Sequence, residues 1–425
     1  MVDGFGSEVE RRRFALGLVG DGVGIGEAAR RVGRSRRWLS KWKQRSESGE
    51  GIEDRSRTPH VSPATTPEEV VGLVLAYRDR LENDPVASIG GLSILAAMER
   101  DGIDPVPSLR TIERVLTRAG RTRPHPKRIR SSVPVLPLPK VGSIPGVWQQ
   151  ADWVQDRYLQ GGIVFNSLQV CDVGSQGITA GQYQRRTVLN AVTFLIETAW
   201  STLSIPHAIS IDNAFVKTTH RNNPWTLWAR ACLFFGVEVI VSPPGELGWT
   251  NTAEAANNLW QDRTIGRHHF GSIDELTHYS NLACDWFNTQ RPILDPTTCG
   301  TRYPAELINQ HRHQLRWPPP TTITDHLDHK GRLHIPLTQG RITYLRRVED
   351  ETILIARTRW STPNLTDGTL VTASITTGDA TLTIQHQGQP LTTHPYPIKH
   401  PIKEPYYTPT PNSLLPHAGT MSWRS

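Results

Sequence analysis

The sequence predicts a multidomain protein: all-α units at the N-terminus, a central α/β core with a mixed sheet, and a small β-barrel towards the C-terminus. Three observations predict this. The chain has 425 residues, more than one ordinary domain needs. Its hydrophobic spacing changes along the chain, from helical, to strands alternating with helices, to short strand runs alone. Two stretches rich in Pro, Gly, Ser and Thr separate the early segments.

The elements follow in order. EVERRRFALGLVGDG reads as a helix ending at glycine, GIGEAARRVG as a second and SRRWLSKWKQR as a third. Ser35 is placed to cap the third helix, and Gly33 suits the turn before it. Ala28, Ala29 and Val32 would pack on Leu39 and Trp42. Residues 8–46 therefore have a helix-turn-helix layout, in which the third helix enters a DNA groove. Between Ala28 and Ser46 there is no acidic residue. Arg34, Arg36, Arg37, Lys41 and Lys43 are the candidate DNA contacts. The bland reading of such a run is a solvated face.

Residues 47–65 read as a linker. Residues 66–120 hold three more helices, roughly 67–81, 89–101 and 108–119, and form a second helix-turn-helix-like unit. Its last helix carries Arg110, Arg114 and Arg118 as candidate DNA contacts. Residues 121–145 are a basic, then Pro-rich linker able to lie along a phosphate backbone. Residues 146–310 form the α/β core. There GVWQQADWV, GIVFNSLQVCDVG, QGITAGQYQ, HAISID and VEVIVS read as strands. Segments 187–203, 225–235, 251–265 and 272–290 read as helices. Residues 320–392 are the small β domain, and 393–425 read as a disordered tail.

The formal net charge is +7, which points to a polyanionic partner. Cys171, Cys232, Cys284 and Cys299 are scattered without a CxxC pair. Neither a zinc ribbon nor a disulfide framework is indicated, and a reducing compartment fits. No apolar run is long enough to span a bilayer. The expected location is cytoplasmic and nucleoid-associated, with no membrane partner.

Three acids stand at telling places. Asp152 lies in the first core strand. Asp212 ends HAISID, and ligands bind at the carboxyl ends of strands in α/β sheets. Glu254 lies in the first turn of a helix. Three such carboxylates can bind hard divalent cations through oxygen. Two Mg²⁺ ions (or Mn²⁺) per site would support in-line phosphoryl transfer. Asp156 and Asp172 are decoys, at a strand's outer end and at the second strand's end. Glu246, in PPGELGW, reads as mobile loop charge. Asn257, Asn258 and Gln261 share a helical face with Glu254. Asn258 and Gln261 are assigned as DNA contacts, and Ala255, Ala256 and Leu259 as the sheet-packing face.

These words, in this order, resemble the retroviral-integrase-type catalytic core of bacterial insertion-sequence DDE transposases. QADW resembles the family's first-Asp strand. IDNAF resembles D-N-G-x-x-F, with Ala214 at the glycine. NTAEAANN resembles N-G-x-x-E, with Thr252 at the glycine. FNTQRPILDPTTCGTRYPAELI resembles Y-N-x-x-R-P-H with a following Thr-Pro. Here Ile293 replaces His, and Tyr303-Pro304 stands for Thr-Pro. VGRSRRWLSKW and DRSRTPH resemble the matching helix-turn-helix and linker. The resemblance spans nearly all of residues 8–310. It implies an RNase H-like core with a mixed five-stranded sheet. Asp152, Asp212 and Glu254 would be its catalytic, metal-binding triad. It further implies binding to terminal inverted repeats and target DNA, 3′-end cleavage and strand transfer, and a homo-oligomer of at least two chains. The rival expectation is a catalytically inactive or co-opted DNA-binding protein.

Overall fold

The structure is a computed structural model. It describes residues 5–54, 66–122, 144–217, 221–246, 249, 251–294 and 300–398. The chain divides into two compact units, Met1–Pro67 and Glu68–Ser425.

The first unit holds three helices, α1 (Glu8–Gly20), α2 (Ile25–Arg31) and α3 (Arg36–Glu47). Ser35 caps α3, its side chain accepting from the Trp38 amide at 3.2 Å. Gly33, between α2 and α3, has φ of +69°, a conformation that glycine adopts without steric cost. Ala15, Ala28, Ala29, Val32 and Leu39 form the core. The Arg12 guanidinium lies 3.6 Å from the Trp42 ring centroid. It also donates to Ile52 O and Asp54 Oδ1, at 2.8 and 2.6 Å. The unit therefore reaches past Ser46, because residues 52–54 fold back onto α1.

The second unit begins with α4 (Glu68–Asn83), α5 (Gly91–Arg100) and α6 (Leu109–Arg118). Ser108 caps α6. These helices do not stand alone. Val74, Ile94, Ile112 and Leu116 share one hydrophobic cluster with Phe165, Trp260 and Phe287 further along the chain. Of the linker at 121–145, only its first two and last two residues are described. Arg121 is ion-paired to Asp79 and Glu82.

The core sheet starts with β1 (Trp148–Tyr158), β2 (Val164–Asp172) and β3 (Ile178–Tyr183), paired antiparallel in sequence order. A continuous helical stretch follows: α7 (Val188–Thr193), a π-helical turn, and α8 (Trp200–Leu203). Next come β4 (Ala208–Ile211), α9 (Leu227–Phe234), β5 (Glu238–Val241), α10 (Asn251–Arg263) and α11 (Ile273–Thr289). Strands β1, β4 and β5 are mutually parallel. The short β6 (Ile293–Leu294) and β7 (Thr301–Arg302) pair with each other ahead of α12 (Pro304–Gln310) and α13 (Thr322–Asp325).

The late strands correct the expected small barrel. They are β8 (Arg341–Arg347), β9 (Thr352–Ile355), β10 (Thr358–Ser361), β11 (Leu370–Thr376), β12 (Thr381–His386) and β13 (Gln389–Pro395). Strand β8 pairs parallel with β5, so one nine-stranded sheet runs β13-β12-β11-β8-β5-β4-β1-β2-β3. The mixed five-stranded sheet expected for the core is one end of it. All four residues of β5 are buried, as in a parallel strand covered on both faces, and it has a strand on each edge. Strand β8 is the flank, with five consecutive buried residues of its own. The tail also begins later than expected: Thr393 to Pro395 lie in β13, and Tyr396 is buried.

Candidate active site

Register brings two of the acids together. The parallel ladder of β1 and β4 ends with Gln150 opposite Ser210. Asp152 and Asp212 each stand two residues beyond that pair, on the same faces as Gln150 and Ser210. Neighbouring strands lie about 4.8 Å apart, so the two carboxyls share one corner of the sheet. Asp212 caps the 3₁₀ turn Asn213–Val216, its Oδ1 accepting from the Ala214 amide at 2.8 Å. Alanine fits that right-handed turn as readily as glycine.

Helix α10 supplies the third acid. Gln150 holds its start: Oε1 accepts from the Thr252 and Ala253 amides at 3.1 and 3.0 Å. Its Nε2 donates to Trp249 O at 3.4 Å. One fully buried side chain on β1 thus satisfies two otherwise orphaned amides of the helix. A turn later, Asn257 Nδ2 donates to Asp152 Oδ2 at 2.9 Å. The buried face of α10 is Ala253, Ala256, Asn257 and Trp260. Ala255 is exposed, contrary to the packing face expected from the sequence. Helical phase explains this, because Ala255 is two positions from Ala253 and Asn257 and so points away from both.

The electrostatics tie the three acids together. Burial pushes the Asp152 carboxyl up to about 6, and the negative charges of Asp212 and Glu254 push in the same direction. Bonds from the Trp153 amide and Asn257 oppose them. Among the described residues, no three His, Cys, Asp or Glu side chains are gathered as a ready-made metal site. The donor chemistry nonetheless fits a hard cation. The negative charges of Asp212 and Glu254 both bear on Asp152, a repulsion that a cation would relieve. Asn257 Oδ1, beside Asp152, is a buried oxygen without a hydrogen-bond partner. Gln169, directly across the ladder from Asp152, has neither amide atom partnered.

The other predicted residues fall as follows. Asn258 is exposed and Gln261 half-buried. Both line a shallow cavity of about 390 Å³ with Glu254, Asn257 and Trp153. Gln261 accepts from Arg157 Nη2 at 3.1 Å. Arg36, Arg37 and Lys41 are exposed on α3. Lys43 lies 3.5 Å from Glu47, and Arg34 is ion-paired to Glu8. Arg110, Arg114 and Arg118 are exposed on α6 at four-residue spacing, which aligns them on one face.

The decoys separate cleanly. Asp156 sits within an irregularity in the β1–β2 register, between Val154 and Arg157, at φ of +47°, with Arg186 at 3.9 Å. Asp172 is fully buried, and burial pushes its carboxyl up to about 6. Its oxygens accept from the Gly146 amide and from the Ser175 amide and hydroxyl, at 2.7–2.8 Å. It is a loop clamp. Glu246 is the correction: it is held, not mobile. Arg347 Nε and Nη2 fork onto its carboxylate, the latter at 2.9 Å, and Trp249 Nε1 donates at 3.2 Å. Partial burial opposes its ionisation, but these bonds outweigh it and hold its carboxyl below the usual range. The partner at residue 347 lies 101 positions away, beyond the reach of local patterns. Gln150 and Asn257 carry the site's geometry and were missed as such. The signal for Gln150 was a polar residue two positions before Asp152, hence on the same strand face.

In FNTQRP, Asn288 binds both backbone groups of Ile178, at 2.8 Å each, so it is a strand cap. Ile293 is buried in β6. The segment 295–299 of that motif lies outside the described residues.

Residues 6–55 match the homeodomain-like domain family. The N-terminal unit is thus a helix-turn-helix domain of that type. Among solved structures, the chain is similar to a simian T-cell lymphotropic virus intasome in complex with PP2A regulatory subunit B56 gamma. The identity is 15% and the TM-score 0.34, covering 72% of this chain and 96% of that one. It is also similar to the HTLV-2 integrase catalytic core domain in complex with magnesium, at 16% identity and a TM-score of 0.28. That match covers 39% of this chain and 98% of the other. The BIV integrase catalytic core domain matches at 15% identity and 0.29, covering 40% and 97%. No helix among the described residues is long and apolar enough to cross a membrane.

Proposed function

We propose that this chain is a DDE transposase or integrase of the bacterial insertion-sequence type. The observation that carries the reading is the corner where Asp152 is half-buried and electrostatically coupled to Asp212 and Glu254. Holding Asp152 half-buried against two other negative charges costs stability, and binding divalent cations is the use that offsets this cost. Asp152, Asp212 and Glu254 would hold two Mg²⁺ or Mn²⁺ ions. When bound, these supply Lewis-acid activation of the nucleophile and charge stabilisation at the leaving oxygen. Gln150 and Asn257 orient the carboxylates. Asn258 and Gln261 face the DNA without adding negative charge.

The overall reaction has two displacements. Water attacks a phosphodiester at the element end and frees a 3′-hydroxyl. That hydroxyl then attacks a target phosphodiester, forming one bond as another breaks. The exposed basic faces of α3 and α6 bind the terminal inverted repeats. Pairing two ends requires at least a dimer, and the setting is the cytoplasmic nucleoid. On inverted-repeat DNA with Mn²⁺, the chain should nick and join strands. Glu254→Gln should lower both steps by at least about a thousandfold, in line with loss of an essential unit of a site. Full activity in that variant removes Glu254 from the site.

One observation favours the rival reading of a DNA-binding protein without catalysis: among the described residues, no three acidic, His or Cys side chains are placed so that they could already hold a metal ion. That reading expects protection of inverted repeats in footprinting and no metal-dependent cleavage.

A further inference from the structure

Two consecutive residues of β8 reach back to the corner that holds the acids. Arg346 is buried, with 6% of its surface exposed. Its Nη1 donates to Ser242 O and its Nε to Leu354 O, each at 3.1 Å. Its Nη2 donates to Asn213 Oδ1. Asn213 directly follows Asp212, and its own Nδ2 donates to the same Ser242 O at 3.0 Å. The ends of β4, β5, β8 and β9 are therefore tied at one guanidinium. Arg347 takes the other side through Glu246, as described above. Glu246 binds Trp249, Trp249 O accepts from Gln150, and Gln150 caps α10. One route ends at Asp212 and the other at the helix carrying Glu254.

We propose that Arg346 and Arg347 are positioning residues that set Asp212 and Glu254 relative to each other, so that divalent-cation affinity at the site depends on the late β-strands. This rests on the reading of those acids as metal ligands. A bidentate arginine–carboxylate fork fixes direction as well as distance. Groups that orient metal ligands typically contribute about 10–100-fold in metal affinity. A cleft of about 680 Å³ opens beside this clamp, lined by Asn213, Glu246, Arg346 and Arg347 among others. Substitution of the half-exposed fork is therefore sterically tolerable.

The test is Mn²⁺ binding to the full chain by isothermal titration calorimetry, with DNA cleavage measured against Mn²⁺ concentration in parallel. Arg347→Glu and Glu246→Arg should each weaken Mn²⁺ binding by roughly tenfold or more and raise the Mn²⁺ needed for half-maximal cleavage. Melting curves establish that each variant is folded. The double exchange of Arg347→Glu with Glu246→Arg should recover most of the loss, which a general weakening of the fold would not do. Wild-type affinity in folded Arg347→Glu overturns the clamp while leaving the metal reading intact. Loss in the single variants with no recovery in the double exchange also overturns it. If the wild-type chain binds no Mn²⁺, the metal reading fails and the clamp fails with it.

Discussion

Asp152 and Asp172 have the same raised carboxyl value, about 6, by different routes. For Asp152, negative neighbours add to burial. For Asp172, burial acts alone against several donated hydrogen bonds. The consequence for stability follows from linkage. A free Asp titrates near about 3.9. A folded-state value above this means the folded chain retains a proton that the unfolded chain releases. The stabilisation is complete below about pH 4 and is lost as pH rises through about 6. Thermal melts in EDTA between pH 4 and 7 should therefore show stability falling with pH, and Asp172→Asn should make that fall shallower. An unchanged slope would mean that Asp172 titrates normally. At this scale Asp152 and Asp212 could be singled out as candidates from the sequence, because a carboxylate in or at the end of a core strand carries a local signature. The partners of Glu246 were not, because residue 347 has no sequence relation to residue 246.

At the scale of elements, α3 is specified almost wholly by local rules. Ser35 caps it, the apolar positions recur at helical spacing, and Arg36, Arg37 and Lys41 are left exposed. The basic residues in and just before it are not equivalent, however. Arg34 is ion-paired to Glu8 in the structure, and that pairing competes with DNA. We expect Arg36→Ala and Arg37→Ala each to reduce the slope of log affinity against log salt by about 0.9, the value for one phosphate contact. Binding isotherms at several salt concentrations measure this. Slopes equal to the wild type would place both side chains off the DNA backbone. Helix α10 is the opposite case. Its residue pattern put Ala255 on the packing face, and the sheet chose Ala253 and Ala256 instead. Gln150 fixes where the helix starts, Asn257 fixes its rotation onto Asp152, and Ala255 is left in solvent.

At the scale of the whole second unit, the late strands belong to the core. Strand β8 covers the edge of β5, and its arginines reach the ends of β4 and β5. A chain ending at residue 316 would leave β5 as an uncovered edge, apolar at Val239, Ile240 and Val241 and with Glu238 stripped of its partners Arg341 and Thr343, which is an invitation to pair with other chains. Such a truncation should aggregate rather than yield a smaller folded core, as size-exclusion chromatography and melting would show. A monomeric truncation melting cooperatively would mean that the late strands are an independent domain. The helices α4–α6 are joined to the core in the same sense, through a shared hydrophobic cluster. The sequence had divided both from the core because composition changes at their boundaries, while burial across those boundaries leaves no local mark.

The amino-acid sequence by itself determined the helix-turn-helix unit and the order of strands and helices in the core, and it singled out three acids as candidates. Each of these is written in short-range spacing: helical period, strand alternation, caps and turn residues. The tertiary structure alone decided that Asp152 and Asp212 stand level on neighbouring strands, that Gln150 anchors the helix of Glu254, and that β8 extends the core sheet and clamps its corner. Those facts depend on strand register and on contacts between residues about one hundred positions apart. Chain folding creates such contacts, and no local pattern encodes them.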